Sequence, residues 1–339
     1  MKYRRVGDTE LEVSEIAFGC GGNAGLMVRG SVVEQERIVG RALDLGITYF
    51  DNSPDYGNCI AEENLGRALR ALKARPLLNS KVEIRAENLD DVAGHVVRST
   101  EASLKRLGVD YLDIMQIHNG PSNADPKLEG RVYAQLQIDH YLRPGGAIEG
   151  VRRLLDAGKV RYAGFICRGN DAQEVTRILD TGLFKLINVP YTLLNPTAGG
   201  TKPEGLNVGK DFGREIDLAR ERKASAAIYS PLASGALSDD AVAAKPRHAL
   251  ARQEDPQSDN ARKNREKAQA VSFLSTETGT SLAQAAFRFI LMHPGVATAL
   301  GGFSNQAQLE EICAVSGMAP FDAGLMTRLD AVWRADFKI

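Results

Sequence analysis

Short apolar runs alternate along this chain with stretches that carry an apolar residue every three or four positions. Residues 15–19, 47–50, 77–82, 111–117, 160–166, 186–190, 224–229 and 296–300 read as buried strands. Segments 34–45, 62–73, 89–107, 147–157, 171–181, 212–222, 262–278 and 282–293 have the helical period, and Gly46, Gly108 and Gly158 stop three of them. Residues 2–14 turn at Gly7-Asp8-Thr9 and read as a hairpin, while 305–315 and 321–335 are two further helices. Strand–helix alternation of this kind predicts parallel strands joined by right-handed crossovers. No GxGxxG follows the first strand, which disfavours an open dinucleotide-binding sheet. The expectation is an α/β chain folded as one domain over 1–339, a (β/α)8 barrel whose functional groups end its strands. Three segments, 119–144, 192–210 and 237–260, lack periodicity and are long for plain connections.

Composition narrows the function classes. With 43% apolar and 25% charged residues over 339 positions, the chain reads as a soluble globular protein. A net charge of −1 gives no field that would recruit nucleic acid or an anionic membrane. No apolar run is long enough for a membrane span, and residues 1–15 are too charged for a secretory leader. Cys20, Cys59, Cys167 and Cys313 are widely spaced, so reduced thiols are expected, with no metal site. A cytoplasmic location follows as an expectation, and the oligomeric state stays open.

Candidate chemistry lies at the ends of three neighbouring strands. Asp51 closes the second, Lys81 the third and His118 the fourth, with Tyr56 on the first loop. Singly, each has an ordinary reading: an acid opening a turn, a surface tyrosine, an edge lysine, a structural histidine. Together they suit proton transfer. A phenol titrates too high for easy donation at neutral pH, and a nearby ammonium favours its ionised form. Asp51 would hold Lys81 charged and oriented, and His118 would hydrogen-bond a carbonyl oxygen. Such a group beside a hydride source would reduce a carbonyl. A Schiff-base role for Lys81 fits poorly, because Asp51 keeps the amine charged.

These motifs resemble the aldo-keto reductase superfamily over nearly the whole chain. Tyr3 to Ser14 with Phe18-Gly19 is similar to the family's N-terminal hairpin, which caps the barrel floor. Phe50-Asp51 to Tyr56-Gly57 followed by Glu63-Asn64-Leu65-Gly66 is similar to its catalytic signature. Ser80-Lys81 matches the lysine strand, and Ser103 to Asp113 leading to Gln116-Ile117-His118 matches the histidine segment. The resemblance implies a TIM barrel with a β-hairpin cap and an additional C-terminal helix. It also implies NAD(P)H-dependent reduction of an aldehyde, ketone or sugar carbonyl, with catalytic residues Asp51, Tyr56, Lys81 and His118. Its cofactor residues would be Cys167, Arg168, Asn188, Tyr229, Ser230, Leu232, Ser234, Gly302, Ser304, Gln308 and Glu311. Tyr229 would stack on nicotinamide, and residues 302–311 would open a helix on the phosphates. Specificity would lie in the three long loops; the first carries Tyr133, Gln135, His140 and Tyr141.

The chain departs from the family pattern in four places. Ile166-Cys167 stand where Ser-Asn is usual, Asn188 where Gln is usual and Ile312 where Asn is usual. No Lys or Arg occurs in 302–310 to meet a 2′-phosphate, which leaves Arg247, Arg252 or Arg168 as sources of the cation. NADP(H) is the expected cofactor, with NAD(H) the alternative. The weakened nicotinamide contacts also keep open a second role, a cofactor-binding redox sensor or regulatory subunit with slow turnover.

Overall fold

Strands buried on both faces must be apolar nearly throughout, and eight such runs close into a barrel. The computed structural model describes residues 1–123, 135–168, 170–255 and 257–338. The barrel strands are β1 (Ile16–Gly19), β2 (Tyr49–Asp51), β3 (Leu77–Val82), β4 (Leu112–Ile117), β5 (Val160–Ile166), β6 (Phe184–Pro190), β7 (Ser225–Tyr229) and β8 (Val296–Gly302). They close in the order β6-β7-β8-β1-β2-β3-β4-β5, every neighbouring pair parallel. Around them run α1 (Val32–Asp44), α2 (Ile60–Leu72), α3 (Val92–Leu107), α4 (Ala147–Asp156), α5 (Ala172–Leu179), α6 (Glu215–Glu221), α7 (Asp259–Ala270) and α8 (Leu282–Leu291). Two more helices, α9 (Gln306–Cys313) and α10 (Ala323–Arg334), follow β8. Ser31 and Glu34 form a reciprocal cap at the start of α1, and Ser281 and Gln284 do the same for α8.

The hairpin plugs the floor. Tyr3–Arg5 pairs antiparallel with Glu12–Ser14, and the tip sends Val6, Leu11 and Val13 into one apolar layer with Ala17, Tyr49, Ile114 and Leu186 of the barrel. Arg4 fixes it by pairing with Glu15 at 3.0 Å and donating to the carbonyls of Leu291 at 2.7 Å and Val296 at 3.0 Å. Gly7 is required at the turn: its φ is +54°, and a Cβ there would lie 2.3 Å from the Lys223 carbonyl oxygen. At the other terminus, the Trp333 indole of α10 donates to the Leu193 carbonyl at 2.8 Å and meets Phe289 edge-on at 5.7 Å. The terminal helix thereby closes over the segment after β6.

Differences from the sequence pattern are local. The second strand begins at Tyr49 rather than Ile47 and closes on Asp51, as the sequence pattern expects. The predicted helix at 89–107 opens with a 3-10 turn, Ala86–Asp91, and Asp91 then caps α3 by accepting from Gly94. In 119–144, expected to be irregular, Gly120–Ser122 pairs with Gln135–Gln137 ahead of a helical turn at Ile138–Leu142. Tyr133 lies outside the described residues. The segment 237–260 contains a turn of helix at Asp239–Val242, and α7 begins within it, capped by Ser258. Among the described residues no helix is long and apolar enough to cross a membrane.

Leu11 is only 3% exposed and fills the floor. Leu11→Ala is expected to cost about 2–5 kcal/mol of stability, the usual range for a buried leucine truncated to alanine. A lowered urea midpoint with unchanged slope is the expected result; an unaltered midpoint would mean that the hairpin adds no core.

Candidate active site

Parallel pairing brings the ends of β2, β3 and β4 side by side. Asp51 stands beside Asn79, and Lys81 beside Gln116. The Lys81 ammonium lies 2.5 Å from Asp51 Oδ1 and donates to the Asn52 carbonyl at 2.7 Å. Both side chains are almost wholly buried, at 1% and 2% exposure. Burying two charges is costly unless their remaining sites are met. Here Asn79 donates to Asp51 Oδ2 at 2.8 Å and Asn188 donates to the same oxygen at 3.2 Å. Asn188 also accepts from Gln116 at 2.7 Å, and Gln116 accepts from Asn79 at 3.0 Å. These amides form a polar storey between the apolar floor and the ion pair.

Tyr56 comes from a loop that its own polar residues hold rigid. Asn52 donates to the Ala61 carbonyl at 3.1 Å and accepts from the Ser53 N–H at 2.8 Å. Gly57, Asn58 and Cys59 then all have positive φ, at 65°, 53° and 74°. A run of left-handed backbone is costly and persists where the surroundings enforce it. It turns the phenol over the ion pair, with the Lys81 ammonium 5.1 Å from the ring centroid. Burial is the main influence that pushes the Tyr56 phenol well above its ordinary value; Asp51, Cys20 and Asp55 add to it, and the Arg168 charge opposes.

His118 follows β4 and meets Tyr56 edge-on, ring centroids 6.4 Å apart. Its Nδ1 is 2.9 Å from Asp55 Oδ2 and 3.3 Å from Ser53 Oγ. Burial pushes the imidazole below its usual value, and the bond to Asp55 only partly offsets this. Asp51, Tyr56, Lys81 and His118 are thus brought together, as the sequence pattern expects.

Across the mouth, Tyr229 ends β7 with its hydroxyl 3.4 Å from the Cys167 carbonyl oxygen. Ser230, Ala233 and Ser234 have positive φ, at 51°, 46° and 59°, and Gly235 follows at 95°. Left-handed turns of this sort gather backbone N–H groups into a concave cradle for anions. Leu232 lies within this turn. Ser304 donates from Oγ to the Ala24 carbonyl at 2.7 Å and from its N–H to Gln308 at 2.8 Å, just before α9, which Asn305 caps. These features fit the pyrophosphate of a dinucleotide.

Other expected cofactor residues are otherwise engaged. Asn188 is turned inward to Asp51 and Gln116, the Cys167 side chain is buried, and Glu311 accepts from the Ser281 hydroxyl at 2.5 Å. Arg168 is exposed, and Gly302 packs toward Ala24. Arg247 pairs with Glu254, and the Arg252 N–H donates to the Asn23 carbonyl at 2.7 Å, which fastens 237–260 to the loop after β1.

A model of the Aldo/keto reductase family matches residues 15–334. The chain belongs to the aldo/keto reductase family. It is an NAD(P)-dependent oxidoreductase that binds a nicotinamide cofactor and a small carbonyl substrate. Among its relatives, the aldo-keto reductase YhdN of Bacillus subtilis (strain 168) is 28% identical, covering 94% of this chain and 89% of that one. A probable voltage-gated potassium channel subunit beta of Arabidopsis thaliana is 25% identical, covering 92% and 90%. The L-glyceraldehyde 3-phosphate reductase of Escherichia coli (strain K12) is 24% identical, covering 97% and 92%. The solved aldo-keto reductase AKR11C1 from Bacillus halodurans, in its holo form, has the same fold: TM-score 0.72 at 23% identity, covering 99% of this chain and 97% of that one.

Several residues of this aldo/keto reductase site escaped the sequence pattern. Asn79 and Gln116 occupy strand positions that read as breaks in an apolar run, and only the register shows them meeting Asp51. Asp55 precedes Tyr56, a hint that was available, yet its bond to His118 depends on the loop's shape. Arg37 and Arg41 of α1 reach Gln306 and Glu310 of α9, far away in sequence.

Lys81→Met leaves Asp51 buried without its cation. The expected loss of stability is about 3–5 kcal/mol, the usual cost of breaking a buried pair. The double variant Asp51→Asn with Lys81→Met is expected to regain part of it. Equal denaturation midpoints for the single variant and the wild type would show that the pair is not dry.

Proposed function

We propose that this chain uses NADPH to reduce the carbonyl of an aldehyde, ketone or sugar, with Tyr56 as the proton donor, and that it runs the reverse oxidation through the same groups. The observation that carries the reading is the Lys81 ammonium held by Asp51 at 2.5 Å and aimed at the Tyr56 ring from 5.1 Å. Bound dihydronicotinamide would supply the hydride. The chain's part is to hold the carbonyl oxygen at the phenol and to deliver the proton there. An elevated phenol pKa keeps Tyr56 protonated at neutral pH, and a developing alkoxide is basic enough to take that proton. Asp51 and Lys81 fix the phenol from below, and His118 borders the substrate on the other side.

The pyrophosphate would lie on the turn from Ser230 to Gly235 and on the start of α9. Tyr229 would cover one face of the nicotinamide ring, with Arg168 at the same end. For the 2′-phosphate, Arg37 supplies the cation that 302–310 lacks: its guanidinium donates to Gln306 in the first turn of α9. NADPH is therefore expected to bind more tightly than NADH. Arg37→Gln should weaken NADPH by about tenfold or more, the scale of a lost charged hydrogen bond, and spare NADH. Fluorescence titration checks this; equal or tighter NADH binding by the wild type would refute the preference.

A second reading is a cofactor-binding regulatory subunit with slow turnover. It is favoured by the raised pKa of the phenol and by the kinship to a protein named as a channel beta subunit. Tyr56→Phe separates the two. It keeps the ring and removes the proton, so NADPH affinity should survive while aldehyde reduction falls by about 10² or more. Near-normal reduction by Tyr56→Phe would make the regulatory reading the better one.

A further inference from the structure

On the face of the barrel opposite Tyr56, a cleft opens between the hairpin, the C-terminal end of α8 and the turn that follows α9. Its volume is about 200 Å³, small beside a drug-sized site and suited to a compact ligand. The back wall is the fastening of the hairpin. Arg4 meets Glu15 Oε2 through Nε at 3.2 Å and Nη2 at 3.0 Å, and the Gly317 N–H donates to Glu15 Oε1 at 3.0 Å. Leu291 and Met292 of the α8 end, with Val315, Met318 and Pro320 after α9, make an apolar side. Lys2 and Arg288 complete the lining.

We propose that this cleft binds a small amphipathic carboxylate, its head held by Lys2 and Arg288 and its apolar body laid against Met292 and Met318. The site is separate from the mouth of the barrel, so it stands whatever the chemistry of Tyr56.

Charge balance selects the head group. Among the described residues Glu15 is the one carboxylate in the lining, and both of its oxygens are engaged. It neutralises Arg4, which also donates to the Leu291 and Val296 carbonyls. Nothing is left there to hold a cation. Arg288 donates from Nε to the Ala319 carbonyl at 2.5 Å and from Nη2 to the Pro320 carbonyl at 3.1 Å, and its guanidinium carbon lies 4.3 Å from the Phe321 ring centroid. These contacts orient the guanidinium without cancelling its charge, and Nη1 has no acceptor among the described residues. The Lys2 ammonium likewise has no acidic partner among them, and its stem runs beside the turn: a Cβ on Gly317 would lie 3.6 Å from Lys2 Cε. Two cations without counter-charges, next to an apolar wall, match a ligand that is anionic at one end and apolar at the other. Methionine is unbranched and polarizable, so Met292 and Met318 can mould to bodies of different shape. The cleft lies at the N-terminal ends of the strands and can therefore fill while cofactor occupies the other end.

Methionine-methyl NMR tests this. The chain has six methionines. With ¹³C at their ε-methyls, Met292→Leu and Met318→Leu assign the two cleft signals, and Met115→Leu assigns one buried in β4. The probe is 3-phenylpropionate, titrated into the full chain with and without saturating NADPH. The Met292 and Met318 signals should move saturably at millimolar probe in both cases, while Met115 stays still. The neutral 3-phenylpropionamide, alike in shape, should bind about tenfold more weakly, the scale of a lost charged hydrogen bond. Lys2 is exposed, so Lys2→Glu should leave the Met115 signal in place and weaken the acid by about fivefold or more, the upper scale of an exposed ion pair. Unmoved cleft signals, equal binding of acid and amide, or full affinity in Lys2→Glu would each overturn the proposal. So would shifts that NADPH abolishes, because they would place the acid in the mouth.

Discussion

The ion pair of Lys81 and Asp51 constrains everything around it. Two charges at 1% and 2% exposure would be ruinous in an apolar barrel without further polar partners. The interior therefore changes character along its axis. Below, Val6, Leu11 and Val13 of the hairpin meet Ile114 and Leu186 in a dry layer. Above it, Asn79, Gln116 and Asn188 interlock and satisfy Asp51. Each amide is useful only if the others are present, so the storey behaves as one unit with the pair it supports. The hairpin keeps water from reaching that unit from beneath, which connects a remote turn to the geometry of the site.

Much of this was legible in the sequence because strand ends are a small set of places. Alternating runs give the barrel, the barrel gives one rim, and Asp51, Lys81 and His118 all close strands on it. Less legible was anything decided by register. Asn188 looks from its position like a residue for the cofactor, yet the register of β6 against its neighbours places its amide between Asp51 and Gln116. Asp55 and Glu83 read as ordinary loop polar residues until the loop after β2 folds back on His118. The helix boundaries at α3 and α7 moved because capping by Asp91 and Ser258 overrides the apolar period.

The cofactor side illustrates a different limit. The strained turn from Ser230 to Ser234 uses ordinary L-residues in left-handed backbone, and no composition signal marks it. Arg37 is equally invisible, since it lies on a helix of the first repeat and meets the last one through barrel closure. A search confined to 302–310 finds no cation, but closing the barrel brings one from the other end of the chain.

Charge balance explains how such a buried site acts on the phenol. Lys81 and Asp51 neutralise each other, so the pair offers Tyr56 a dipole rather than a net charge, with its positive end toward the ring. A dipole orients a phenol strongly but moves its proton affinity less than a free ammonium would. Burial consequently dominates, and the phenol sits high, with Arg168 as the cation that opposes it. A phenol in that condition is a poor base at rest and a secure donor. It gives up its proton only to a stronger base than phenolate, which under the proposed reaction would be an oxygen that is becoming an alkoxide. On the proposed reading, protonation would be tied to hydride arrival, because the same burial that raises the phenol would keep it neutral until then.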